Sequence, residues 1–322
     1  TLSTGTTPYY NGIVSSRWLD RETLQPVFCV DDTKHINSPK RLQTSTIGDE
    51  LKVSTNGAAI IYSFAAEKDM AILAAGHAAD GAFWLNKSGT WQTSTYYPGM
   101  PNWMKAYNKL KGTSSTLINH NDQVVDASLH AITAAAMGKD DVSDILYVSL
   151  SATKPDNMPV AHWQTEMESV YMQFDNSLER LVTGIEKQIG LDKVLIVVTS
   201  TGYTDESVAD LTKYHIPTGT FYINRTANLL NIYLGAIYGQ GRYVEQIYGN
   251  QLYFNHKLIE QKRVSISEVL SRSREFLVQN AGVADIYTSD RLLDGNTDIL
   301  KIRNGFNPTI SGDIIIEVAP GW

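Results

Sequence analysis

Few residues in this chain are spaced for chemistry, and most of them also have a plain structural use. His77 follows Gly76 in a Gly-His turn, where an imidazole can line a pocket or fix a loop by hydrogen bonding. His162 and Glu166 lie four apart. On a helix that spacing puts both on one face, within reach of one metal ion, but a solvated face uses it equally. His120 and His130, with Asp122 and Asp126, read as surface groups, and Asp140-Asp141 as a loop or helix-capping pair. Lys154 would be a reactive amine only if buried. Ser200, Thr201, Gly202 and Tyr203 follow an apolar run and could line a pocket at its end. Tyr233, Tyr238, Tyr243, Tyr248 and Tyr253 recur every five residues, as packing rings or as a face for sugar or protein. No Gly-x-Ser-x-Gly elbow, P-loop, His-Glu-x-x-His or dinucleotide glycine fingerprint occurs.

Composition narrows the partners. The 322 residues carry 34 acidic and 27 basic side chains, a net charge of −7. That balance argues against a nucleic-acid partner, which needs a basic face. Hydrophobic residues make up 43%, enough for a sizeable core. Cys29 is the sole cysteine, so no internal disulfide can form. No apolar run is long enough to span a bilayer. The chain opens on Thr1-Leu2-Ser3 without methionine, so a processed or partial polypeptide is expected.

The elements that must position these residues follow from periodicity. Residues 57–64, 144–151 and 193–200 are continuous apolar runs of strand length, as expected of strands buried on both faces of a parallel sheet. Shorter strands are expected at 26–31, 82–85, 90–95, 218–224, 251–255 and 312–318. Helical spacing marks 47–55, 122–137, 158–189, 228–238 and 265–279, with Gly190 as a C-cap. The succession 144–151, 158–189, 193–200 reads as a right-handed βαβ unit.

Several phrases then carry a resemblance. TGTTPYYNGI (4–13), SPKRLQTSTIGDEL (38–51), AILAAGHAADGAFWL (71–85) and TSTYYPGMPNWMKAYN (93–108) come first. DILYVSLSAT (144–153), LDKVLIVVTS (191–200) and SGDIIIEVAPGW (311–322) follow in the same order. Together they resemble the phosphate-irrepressible alkaline phosphatases common in Bacteroidota, of the alkaline phosphatase and nucleotide pyrophosphatase/phosphodiesterase superfamily. The resemblance implies an α/β fold: an alkaline-phosphatase-like three-layer α/β/α sandwich with a mostly parallel central sheet and an inserted α+β lobe. Residues 1–204 are expected to form the core, 205–305 the lobe, and 306–322 a return strand of the core.

The family's chemistry uses two zinc ions held by Asp and His around a Thr or Ser nucleophile, with Asn, Lys and Arg donors on the phosphoryl group. The resemblance carries those roles onto positions that no longer suit them. Lys154 and Met158 stand where an Asp-x-x-x-His pair is usual, and Thr201 and Gly202 where an Asp-His pair is usual. A charged ammonium cannot ligate zinc, and Met is a poor zinc ligand. Glu67 and Asp69 stand at the two phosphate-binding cation positions, although a register one residue away would put Lys68 at one of them. Ser16 replaces the substrate-positioning Asn. The nucleophile and one metal Asp would lie upstream of Thr1, and a final zinc-binding His beyond Trp322. His77, Ser200 and Tyr203 remain as possible pocket residues.

The expectation is therefore a pseudophosphatase that binds no zinc and acts as a binding or assembly module. Family analogy places it in the periplasm or at the cell surface, with a protein or glycan partner. The alternative is a metal-dependent phosphatase or phosphodiesterase completed by ligands from outside this sequence.

Overall fold

The computed structural model of the chain describes residues 1–111, 120–152, 163–200, 211, 214–294 and 297–322. Strands are β1 (Arg17–Leu19), β2 (Pro26–Phe28), β3 (Ile61–Ala65), β4 (Gly81–Leu85), β5 (Trp91–Thr93), β6 (Ile145–Val148), β7 (Val244–Tyr248), β8 (Gln251–Phe254), β9 (Val283–Thr288) and β10 (Ile314–Val318). Helices are α1 (Pro8–Asn11), α2 (Ile47–Ser54), α3 (Lys68–Ala75), α4 (Asn102–Lys111), α5 (His120–Ala134) and α6 (Trp163–Gln188). They continue as α7 (Ile223–Tyr238), α8 (His256–Gln261), α9 (Ile266–Leu277), α10 (Ser289–Leu293) and α11 (Leu300–Gly305). Two compact units result: Thr1–Thr6 with Cys29–Ser200, and Thr7–Phe28 with Thr201–Trp322.

The first unit is built on a sheet of order β5-β4-β3-β6. Strand β3 pairs in parallel with β4 and β6, and β5 closes one edge antiparallel to β4. Every residue of β3 is buried, which is why its sequence is mostly apolar rather than alternating, with Ser63 as the polar exception. One face carries an aromatic cluster: Phe64 stacks on Phe83 with ring centres 5.0 Å apart, and Trp91 and Trp103 meet the pair edge-on. Carboxylates finish the strand entrances. Asp80 accepts from the Ile61 amide at 2.8 Å and from Lys52 at 2.9 Å, and Asp144 accepts from Ile60 and Gly138. Helices α5 and α6 pack together, joined by Arg180 to Asp122 and Asp126, which accounts for that acidic pair.

One expectation fails here. Residues 193–200, read as a third buried strand, join no sheet among the described residues. Leu191–Lys193 forms a single 3-10 turn, and beyond it Leu195, Val197 and Val198 are 89%, 77% and 69% exposed. Apolar composition makes burial favourable, but a strand needs a neighbour to satisfy its backbone. The expected βαβ unit thus stops at its helix.

The second unit holds an antiparallel sheet of order β7-β8-β10-β9, covered by α7 and α9. Strand β10, expected to return to the core, pairs with β8 and β9 in this sheet. Its Ile314 and Ile316 point into a cluster with Leu230, Leu252, Leu270 and Ile286, so this sheet is where its apolar face is buried. The regularly spaced tyrosines are largely packing rings: Tyr243 is fully buried, Tyr253 nearly so, and Tyr233 stacks on Phe276. The strand expected at 218–224 is replaced by irregular chain and the start of α7.

Asp313 anchors this unit. It is 3% exposed, yet it accepts from Arg21 at 3.3 Å, from the Phe254 amide at 2.8 Å, and faces His256 at 2.9 Å. Burial raises its pKa, but the His256 hydrogen bond, the Arg21 charge and the Phe254 amide together take it below the ordinary carboxylate range. Arg21 also donates to the Ser311 carbonyl and lies over the Tyr253 ring. Asp313→Ala would leave a part-buried guanidinium and an amide unpaired. We expect it to lower the unfolding free energy by about 3 kcal/mol in chemical denaturation. A loss no larger than an exposed ion pair, under about 1 kcal/mol, would refute this role.

Candidate functional site

In open parallel sheets, ligands bind at the carboxyl ends of the strands. Strand β3 leads there into Ala66 and Glu67, the N-cap of α3, whose first turn carries Lys68 and Asp69. Glu67 is exposed and makes no side-chain cap. Lys68 reaches back to the Asn37 side chain at 2.9 Å. The Cys29 thiol is fully buried and pushed up to about 12, first by burial and then by the Asp69 carboxylate. Asp69 and Glu67 therefore set negative charge at the start of α3, where the helix dipole favours it.

Strand β6 leads at the same edge into Ser149, Leu150 and Ser151. Asn121, 6% exposed at the head of α5, clamps this exit: its Nδ2 donates to the Ser151 carbonyl at 2.7 Å, and its Oδ1 accepts from the Ser151 amide at 2.8 Å. Nothing in the sequence singled out Asn121, because a side-chain amide signals a role only once its partner backbone is known. Lys154, Met158, Thr201, Gly202 and Tyr203 lie outside the described residues, as does His162. Ser200 is exposed at the end of the 194–200 segment. Ser16 is exposed in the second unit, at the bend before β1.

His77 belongs to different machinery. It follows α3 and precedes β4, so it sits about 12 Å along the helix from Asp69 and at the opposite edge of the sheet. There Asp49 gathers three segments. Within α2 it completes a capping box: Thr46 Oγ1 accepts from the Asp49 amide at 3.1 Å, and Asp49 Oδ2 accepts from the Thr46 amide at 2.8 Å. Asp49 Oδ1 accepts from the amides of His77 at 2.8 Å and Ala78 at 2.6 Å. Gly76 makes the turn possible. Its φ is +78°, and a Cβ there would lie 2.6 Å from Thr46 Cγ2 and 2.9 Å from Asp49 Oδ2.

The His77 ring closes the cluster. Nδ1 faces Asp49 Oδ2 at 3.0 Å and Nε2 faces the Leu42 carbonyl at 3.1 Å. Both neighbours only accept, an arrangement that favours the protonated ring, in which both nitrogens donate. The Asp49 hydrogen bond raises its pKa against the opposing effect of burial. Burial pushes the Asp49 carboxyl up, and hydrogen bonds from His77, Thr46 and Ala78 overcome this and take it down to about 2. The ring thus has a structural task.

Among the described residues, no three His, Cys, Asp or Glu side chains converge as a metal site. Lys154, Met158, Thr201 and Gly202 bring no carboxylate, imidazole or thiolate to the positions where the resemblance asks for them.

The Asp49–His77 pair makes a pH prediction. A raised imidazole pKa contributes stability that is complete below its ordinary value and lost as pH rises through the raised one. Asp49 acts in the other direction, its contribution fading only as pH falls toward about 2. Between about pH 5 and about pH 8, the first unit should therefore lose stability on the alkaline side alone. Tryptic cleavage at Lys40 and Arg41, beside the tethered Leu42, should accelerate in parallel. His77→Gln should flatten both trends; an unchanged alkaline loss in that variant would rule the pair out as its source.

Comparison with known proteins agrees with this frame. Residues 1–322 match the family described as type I phosphodiesterase / nucleotide pyrophosphatase. Alkaline phosphatase PhoV of Synechococcus elongatus is 23% identical over 389 aligned residues, which cover 100% of this chain and 70% of PhoV. Alkaline phosphatase PafA of Elizabethkingia meningoseptica is 23% identical over 391, covering 100% of this chain and 71% of PafA. The crystal structure of wild-type PafA superposes with a TM-score of 0.83 at 22% identity, covering 99% of this chain and 74% of that one. The fold is thus the α/β fold of the alkaline phosphatases. This chain belongs to the type I phosphodiesterase / nucleotide pyrophosphatase family, within the alkaline phosphatase superfamily.

Proposed function

We propose that this chain is a catalytically silent family member, a binding or assembly module of the cell envelope that retains the fold without the metal chemistry. The observation that carries this reading is the pair of carboxylates at the start of α3. A helix N-terminus at a strand exit attracts an anionic phosphoryl group. Here Glu67 at the N-cap and Asp69 in the first turn supply that negative charge from the chain itself. A phosphoryl dianion brought to the same place would meet repulsion where catalysis requires cations. The residue types at 154, 158, 201 and 202, in two separate stretches of the sequence, support the same reading. The likeness to enzymes named alkaline phosphatases favours one rival, an active phosphatase or phosphodiesterase with ligands from other parts of a longer polypeptide.

Zinc titration by calorimetry separates the two. A silent module shows no saturable binding of two metals per chain and no p-nitrophenyl phosphate turnover that a chelator abolishes. Tight two-metal binding with chelator-sensitive turnover would establish the rival. Restoring the cations with Glu67→Lys and Asp69→Arg should raise affinity for inorganic phosphate by about tenfold or more without creating turnover.

A further inference from the structure

The first unit contains a sheet edge without a strand and a strand without a sheet. Strand β6 is the outermost strand of the order β5-β4-β3-β6. The Ile145 and Ser149 amides donate to the Ile60 and Phe64 carbonyls. Alternation along the strand then turns the backbone N–H and C=O of Leu146 and Val148 to the open side. All four β6 residues are half-buried, whereas those of β3, which is paired on both sides, are buried. The sequence Ile145-Leu146-Tyr147-Val148 has no charge and no proline, the devices that ordinarily protect an edge.

The unused strand is 194–198, Val-Leu-Ile-Val-Val. Val194 packs against the same hydrophobic cluster as Leu146 and Val148, and its amide donates to the Leu191 carbonyl. Past that point the chain joins no sheet among the described residues, and Leu195, Val197 and Val198 face solvent. An edge that is apolar on both faces calls for a neighbour that is apolar on both faces, and 194–198 has that composition. Charge at the strand entrances sets the direction. Asp144 precedes β6 and accepts from the Ile60 and Gly138 amides. Lys193 precedes 194–198, is exposed, and pairs with no acid among the described residues. A parallel pairing that brings Lys193 beside Asp144 sets Val197 opposite Val148.

Within a single chain the two segments stay apart. Every copy supplies both this edge and this strand, so two copies related by a twofold axis satisfy both at once and close the assembly. We propose that the chain forms a dimer by strand exchange, residues 194–198 of each copy pairing in parallel with β6 of the other. The partner of the exposed apolar segment is a second copy of this chain, and the exchange does not depend on metal chemistry.

Sedimentation velocity of the full chain over about a hundredfold range of concentration tests this. The mass should rise to that of two chains and stop there. Val197→Lys and Val198→Lys put a charge where the exchanged strand becomes buried, and each should weaken association by about tenfold or more. Both side chains are exposed in the single chain, so thermal unfolding of the monomer should not change. Val197→Ile should associate like the parent chain. Geometry is read by mixing a Val148→Cys chain with a Val197→Cys chain and oxidising; Cys29 is fully buried and does not compete. The mixture should give covalent dimers that neither variant forms alone. A monomer at every concentration would overturn the proposal and leave the edge to a strand from elsewhere. A dimer indifferent to both Lys variants, growth beyond two copies, or no covalent product in the mixture would overturn it as well. So would a destabilised Val197→Lys monomer, which means that the two segments pair within one chain.

Discussion

The first unit depends on one carboxylate. Asp49 begins as a local helix signal, the acid three residues after Thr46, and ends as the point where α2, the 76–78 turn and the 38–46 loop are joined. Its two oxygens take backbone hydrogen bonds from Thr46, His77 and Ala78 and face the His77 ring. A buried carboxylate without those partners would be expelled or protonated; with them it is held ionised. The second unit repeats the device with Asp313, which meets His256, Arg21 and the Phe254 amide. In both units a buried Asp and a partly exposed His tie distant segments that hydrophobic packing alone would leave loosely registered.

The phrase AGHAADG has a structural use of its own in the first unit. Its glycine, histidine and alanine amide serve the turn and the Asp49 clamp, at the end of the sheet away from the strand exits. At the strand exits different needs apply. Asn121 holds the chain leaving β6, and acidic residues complement the start of α3. A scaffold whose stabilising polar groups are separate from its catalytic ones can lose the chemistry and keep the shape.

Legibility along the sequence varied with how far each signal reached. Strand β3 was readable because burial on both faces leaves an unbroken apolar run, and α2 because its cap lies within four residues. The helices α5, α6 and α9 followed from their periodicity. Residues 193–200 carry the same kind of run as β3, yet they remain outside the sheet with their valines exposed. The two runs differ in their neighbours, which composition does not record. Strand β10 is legible as a strand, but the sheet it joins is not, for the same reason: Ile314 and Ile316 state that one face must be buried, not against what.

The sequence by itself determined which residue types stand at each position, and with them the family, the net charge, and the absence of carboxylate, imidazole or thiolate at 154, 158, 201 and 202. Those are covalent facts and need no folding. Only the tertiary structure decided that both His77 ring nitrogens face acceptors and that Asn121 governs the exit from β6. Each of these depends on a backbone group dozens of residues away, or on which side of a strand that group faces. Protonation and hydrogen-bond direction are properties of a neighbourhood, and a neighbourhood exists only after the chain has folded.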